Sequence, residues 1–255
     1  MSGHSKWNNI KNKKAKTDAQ KGKIFTKIGK EIAIAVREGG PDPSNNSKLR
    51  DLIAKAKSNN VPNDNIDRAI KKASGANAVV YEEIVYEGYG PSGVAVIVET
   101  ATDSRNRTAS DMRHFFDKYG GNLGQSGCVS FMFEDKGVII ILREDSIDED
   151  ALMEAALEAG AADFSSDEES FEILTEKDDL YAVRDALVAL GYEIESAEMD
   201  KIPNNYVTLS SEEDIKNMNL LLEHLDDCDD VSEVYITGKS DSVFVRIYER
   251  LCLHH

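Results

Sequence analysis

The 255-residue sequence predicts an α+β fold: an N-terminal three-helix domain followed by two ferredoxin-like α/β units, one inserted in the other. Three observations carry this. Apolar residues recur at helical spacing three times before Gly75, the periodicity switches to two from Ala78, and strand-like and helix-like runs then alternate as far as Ile236. The predicted domains are residues 1–76, residues 77–136 with 202–255, and residues 137–201. The last is placed inside the second because domain termini commonly lie close together.

From the N-terminus, Ser2 to Lys23 carries Lys6, Lys11, Lys13, Lys14, Lys16, Lys21 and Lys23 against Asp18 alone. Its apolar positions, Trp7, Ile10, Ala15 and Ala19, are too few to bury a helix face, which predicts an arm that orders against a partner. Phe25, Ile28, Ile32 and Val36 then mark a first helix, stopped by Gly39-Gly40 before Pro41. Ser44, Asn45 or Asn46 is available to cap the second. That helix sets Leu49, Leu52, Ile53 and Ala56 in one stripe flanked by Lys48, Arg50, Lys55 and Lys57. A third helix follows Pro62, with Ile66, Ala69, Ile70 and Ala73 on its buried face and Gly75 at its end. The loop before Ser47 is too long and proline-rich for a helix-turn-helix.

Beyond Ala78, strands are expected over Val79 to Tyr86 and Val94 to Thr100, joined by a turn at Gly88 to Gly93. Met112, Phe115, Phe116 and Tyr119 mark a helix ended by Gly120-Gly121; a strand from Val129 to Phe133, a turn at Asp135-Lys136-Gly137 and a strand from Val138 to Leu142 follow. Then come a helix near Asp148 to Glu158, a strand from Phe171 to Thr175, a helix from Asp178 to Leu190 and a strand from Tyr192 to Met199. After Pro203 the pattern is strand (Tyr206 to Leu209), helix (Glu212 to Leu225), strand (Val231 to Ile236) and a further strand within Ser242 to Leu251.

The net charge of −17 averages two unlike parts. Met1 to Gly75 holds 17 Lys+Arg against 7 Asp+Glu, whereas the remainder holds 13 basic and 40 acidic residues. Such asymmetry points to a nucleic-acid-facing segment on a solvated body. No apolar run approaches the roughly 20 residues needed to span a bilayer, and no apolar stretch backs the basic N-terminus as in a secretory signal. Cys128, Cys228 and Cys252 lack CxxC spacing, which suits a reducing compartment. A cytoplasmic protein without membrane contact is expected, and a monomer is favoured. No cofactor, metal or catalytic site is expected either: the histidines lack HExxH spacing, and no GxSxG or Cys/His signature occurs. The acidic cluster Glu223, Asp226, Asp227, Asp229 and Asp230 lacks the EF-hand order and reads as a solvated loop. The glycine-rich loop from Gly120 to Gly127 lacks the P-loop pattern and reads as a helix end running into a turn.

Two blocks of residues resemble a known family. One comprises Gly3-His4-Ser5-Lys6-Trp7, Gly22-Lys23-Ile24-Phe25-Thr26-Lys27, Gly39-Gly40-Pro41-Asp42-Pro43 and Asn60-Val61-Pro62; the other comprises Tyr86-Glu87-Gly88-Tyr89-Gly90-Pro91, Asn106-Arg107-Thr108 and Gly120-Gly121. They are similar to the YebC/PmpR family, with Ser104 and Cys128 as small departures. The resemblance implies three domains and a cytoplasmic DNA-binding transcriptional regulator. It also implies the alternative of translation on the ribosome, the role of some members and mitochondrial relatives.

The candidate nucleic-acid contacts are Lys6, Trp7, Lys11, Lys13, Lys14, Lys16, Lys21, Lys23, Lys27, Arg50, Lys57, Arg105 and Arg107. Lysines that neutralise phosphates release counterions and bind without reading bases. With 14 Lys and three Arg before Gly75, backbone recognition is favoured over bidentate guanine reading, whether the partner is DNA or ribosomal RNA. Trp7 either stacks on a base or pins the arm to the body. Arg105 and Arg107 either hold a phosphate at a helix start or pair with neighbouring carboxylates. A reading from another class is a protein-interaction adaptor using the acidic α/β faces.

Overall fold

The computed structural model describes residues 18–239, with side chains from Lys21 onward. Three helices, α1 (Asp18–Gly39), α2 (Ser47–Ser58) and α3 (Asn63–Ala73), form the expected bundle. Ile28, Ile32, Ala35 and Val36 of α1 pack on Leu49 and Ala56 of α2 and on Val61 and Ile66 around the start of α3. Each such side chain contributes about 1.5–3 kcal/mol when fully buried. Gly40 takes φ +85° and its N–H closes on the Val36 carbonyl at 2.8 Å, ending α1. Of the three candidate caps the chain uses Asn46. Its Oδ1 accepts from Leu49 N at 3.0 Å while its Nδ2 donates to the Ala35 and Gly40 carbonyls, so one buried amide ties the end of α1 to the start of α2.

The body continues with β1 (Glu82–Tyr89), β2 (Ala95–Thr102), α4 (Arg105–Lys118) and β3 (Asn122–Leu123). Next come β4 (Phe133–Leu142), α5 (Glu149–Glu158), β5 (Asp163–Ser166), β6 (Ser170–Glu176), α6 (Leu180–Ala189) and β7 (Ser196–Pro203). Last are β8 (Val207–Thr208), α7 (Glu212–Asp227), β9 (Val231–Ile236) and β10 (Gly238–Lys239). The run foreseen within Ser242 to Leu251 lies outside the described residues. No described helix is long and apolar enough to cross a membrane.

Among the described residues the chain forms two compact units: Phe133–Asn204, and the residues on either side of it. The inserted unit follows β-α-β-β-α-β with strand order β5-β6-β4-β7, all neighbours antiparallel, which is the ferredoxin-like arrangement. Ile139, Ile141, Phe171 and Ile173 on its sheet pack against Leu152 and Ala156 of α5 and Leu180, Val183 and Leu187 of α6. Asp135-Lys136-Gly137 makes no turn: it lies inside β4, in register with β7 along its length. Gly137 serves close packing instead, because a Cβ there would collide with Thr175 and Leu180. The strand foreseen over Val129 to Phe133 is a 3-10 turn at Ser130–Met132 leading into β4. β5, four residues of Asp-Phe-Ser-Ser, carries too little apolar alternation to be read in advance.

The split unit has strand order β3-β1-β2-β9, with α4 and α7 on one face. Gly88 and Tyr89 stay in β1, so the hairpin turn is confined to Gly90–Val94. β2 is buried on both faces. Val96 and Val98 face Met112, Phe116, Met218 and Leu221 of the two helices, while Ala95, Ile97 and Ala101 are buried on the other side, where α1 crosses β2 and β9.

Asp230, at the entrance to β9 and 5% exposed, joins these layers. Its carboxylate receives Lys30 Nζ of α1 at 2.7 Å, Arg107 Nη2 of α4 at 2.7 Å, Thr108 Oγ1 at 2.8 Å and Thr102 Oγ1 at 3.2 Å. Burial pushes its pKa up, but the bonds from Lys30, Arg107 and Thr108 outweigh that and bring it down from 3.8 to about 2. The stability linked to this lowered pKa is fully present above 3.8 and is lost as pH falls through about 2. Asp230→Asn is expected to cost about 3 kcal/mol at neutral pH, because Lys30 loses its counter-charge in a mostly buried site and Arg107 keeps only Asp103. Urea unfolding across pH checks this: the gap between the two proteins closes toward pH 2.

Candidate nucleic-acid interface

Helix α1 is buried along two stripes. One is the apolar face of the bundle; the other runs through Lys23, Lys27, Lys30 and Ile34, at spacings of four, three and four. This second stripe meets the acidic segment that ends α7. Lys23 Nζ lies 2.8 Å from Asp227 Oδ1, Lys27 Nζ donates to the Asp226 carbonyl at 2.5 Å, and Lys30 Nζ donates to the Asp229 carbonyl at 2.9 Å. The last carbonyls of a helix lack intrahelical partners and carry the negative end of its dipole, so cations settle there. The Asp227 hydrogen bond holds the Lys23 ammonium above its ordinary 10.5. Residues 226–230 therefore hold α1, while Asp226, Asp227 and Asp229 stay exposed to solvent as expected and Asp230 is buried. Lys23 and Lys27, expected on phosphate, are held by this segment instead, the Lys27 side chain being only 10% exposed and that of Lys23 40% exposed.

Two further lysines bind within the same unit. Lys48 of α2 pairs with Glu83 at 2.8 Å and Glu38 at 3.1 Å, and Lys55 pairs with Glu31 and Glu233, both at 3.1 Å. At the start of α4, Arg107 bridges Asp230 and Asp103, and Arg105 pairs with Glu82 at 2.9 Å. Pairing with carboxylates is thus how both arginines are engaged, and Thr102 Oγ1 accepts the Ser104 N–H at 2.9 Å to support that helix start.

The outer faces of the bundle are different. Arg50 and Lys57 lie seven residues apart on the exposed side of α2, with Ala54 between them. Arg68, Lys71 and Lys72 stand exposed on α3, and Arg37 in the last turn of α1. None of these six side chains has an ion pair or hydrogen bond shown among the described residues. Arg37, Arg68, Lys71 and Lys72 were not in the expected set; their signal was their place between the apolar positions of each helix. Lys21 is exposed on the first turns of α1. Lys6, Trp7, Lys11, Lys13, Lys14 and Lys16 lie outside the described residues.

The glycine-rich loop after α4 wraps a carboxylate of the protein itself. Glu87 of β1, 6% exposed, accepts the backbone N–H groups of Gly127 at 2.7 Å, Val129 at 2.9 Å and Ser130 at 2.8 Å. Burial pushes the Glu87 pKa up, and these three bonds more than reverse it, so it lies below the ordinary carboxylate range. The amides that would cradle a foreign anion are already filled. Among the described residues, no group of three or more His, Cys, Asp or Glu is placed to hold a metal ion.

Comparison with known proteins places this geometry among relatives. Residues 5–76 match the TACO1/YebC protein N-terminal domain, and residues 81–237 match the TACO1/YebC second and third domain. A protein of Acetivibrio thermocellus named "Probable transcriptional regulatory protein" is 59% identical over 92% of this chain and 98% of its own. One of the same name from Ruminiclostridium cellulolyticum is 60% identical over 94% and 98%. The crystal structure of a conserved hypothetical protein from Aquifex aeolicus superposes with a TM-score of 0.78 at 45% identity, covering 88% of this chain and 93% of that one.

Two outcomes test these assignments. Lys27→Ala should lower stability by about 1–3 kcal/mol, yet leave nucleic-acid affinity measured well below the melting point within about twofold. Glu87→Ala should speed hydrogen exchange at Gly127, Val129 and Ser130 by roughly tenfold or more, read by mass spectrometry.

Proposed function

The chain belongs to the TACO1/YebC family, and we propose that it is a cytoplasmic, non-enzymatic nucleic-acid-binding protein that regulates transcription by gripping DNA through its helical bundle and lysine arm. The observation that carries this reading is the division of the cations. Lys23, Lys27, Lys30, Lys48 and Lys55 are held by carboxylates, while Arg37, Arg50, Lys57, Arg68, Lys71 and Lys72 face solvent without a described partner. Exposed cations on rigid helices suit phosphate contact, with the arm residues Lys6, Lys11, Lys13, Lys14 and Lys16 adding charge and Trp7 a stacking surface. The names borne by the relatives support the regulatory role. The acidic remainder of the chain repels phosphate and so restricts which surface approaches it.

A second reading, binding to ribosomal RNA in translation, is favoured by the lysine excess, since lysine grips backbone and reads bases poorly. In-cell crosslinking followed by sequencing of the bound nucleic acid separates the two: promoter DNA supports regulation of transcription, and ribosomal RNA overturns it.

The double variant Arg50→Glu/Lys57→Glu should weaken nucleic-acid binding by about tenfold or more and reduce the salt slope by roughly two. Its melting temperature should be unchanged, because both positions are exposed. Deleting Ser2 to Gln20 should reduce the slope further; an unchanged slope would remove the arm from the interface.

A further inference from the structure

The inserted unit is the most acidic part of the chain, with 22 Asp+Glu against 5 Lys+Arg between Phe133 and Asn204. Yet the helical layer covering its sheet turns apolar side chains to solvent. On α5, Met153 and Leu157 lie four residues apart, Leu157 being 50% exposed. On α6, Tyr181 and Val188 lie seven apart, Val188 being 52% exposed, and Leu190 just beyond is 64% exposed. The exposed stripe of α6 (Tyr181, Ala182, Asp185, Val188 and Ala189) includes one charged residue, Asp185, paired at 2.7 Å with Arg184, whose guanidinium also lies 4.8 Å from the centre of the Tyr181 ring. The inner sides of the two helices are fully satisfied by the core through Leu152, Ala156, Val183 and Leu187. The outer apolar positions are not part of that core.

We propose that this face docks a basic amphipathic helix of a partner protein. Apolar anchors four residues apart on α5 and seven apart on α6 offer helical spacing to a third helix. Acidic residues around them, Glu149, Asp150, Glu154 and Glu158 among them, match lysines or arginines flanking such a helix. The same charge turns away the other occupants: nucleic acid and anionic membranes carry like charge, and a second copy would set one net −17 unit against another.

The test uses the full chain and a fluorescent lysine/leucine amphipathic peptide of about five helical turns, followed by anisotropy. Binding that weakens about tenfold both for Leu157→Ser/Val188→Ser and for a peptide with its leucines changed to serine supports the proposal. Unchanged melting and unchanged nucleic-acid affinity of the double variant complete the expected result. Equal affinity in both comparisons would reduce the effect to charge alone and overturn the docking site, as would absence of peptide binding. Sedimentation showing a wild-type dimer that the double variant abolishes would assign the face to a second copy, overturning it as well.

Discussion

A buried carboxylate cannot stay ionised in a protein interior unless enough donors reach it at once, and Asp230 satisfies that condition with groups from three distant stretches of chain. Lys30 arrives from the first helix, Thr102, Arg107 and Thr108 from the junction of β2 and α4, and the acid itself from the entrance to β9. Two cations and two hydroxyls share the carboxylate, so the site is fully paired only when all three stretches of chain meet. Its role lies in placement more than in net energy: replacing such a pair by apolar groups is often neutral, whereas leaving it half-made costs several kcal/mol. The apolar layers on both faces of β2 provide the bulk of the stabilisation, and Asp230 selects the position of α1 across the sheet.

That constraint changes how the charge asymmetry is understood. A lysine-rich N-terminal part and an acidic body look like a grip and its solvated handle, yet some of each sign neutralises the other inside one compact unit. The stripe at Lys23, Lys27 and Lys30 answers the acids at residues 226–230, and Lys48 and Lys55 answer Glu83 and Glu233. The cations turned outward on α2 and α3 are held on rigid helices, and they form the better candidate for a partner. Glu87 follows the same logic on the acidic side, taking up backbone amides that would otherwise be a ready anion site.

Periodicity in the sequence determined most elements, because side chains that must be buried recur at the pitch of the element that buries them. It located the three bundle helices, α5, α6, α7 and β9, and the residue classes of their cores. It misjudged Asp135-Lys136-Gly137, since a glycine needed for close packing looks the same as one needed for a turn, and it passed over β5, whose pairing comes from β6 and not from its own residues. The candidate site divided in the same way. Composition located the basic region, but a lysine on an outer face and one reaching a carboxylate some 200 residues away have identical local sequence. Only the tertiary structure decided which cations are free for a partner, because a charge's role depends on what lies within about 4 Å of it, and that neighbourhood exists only once the chain has folded.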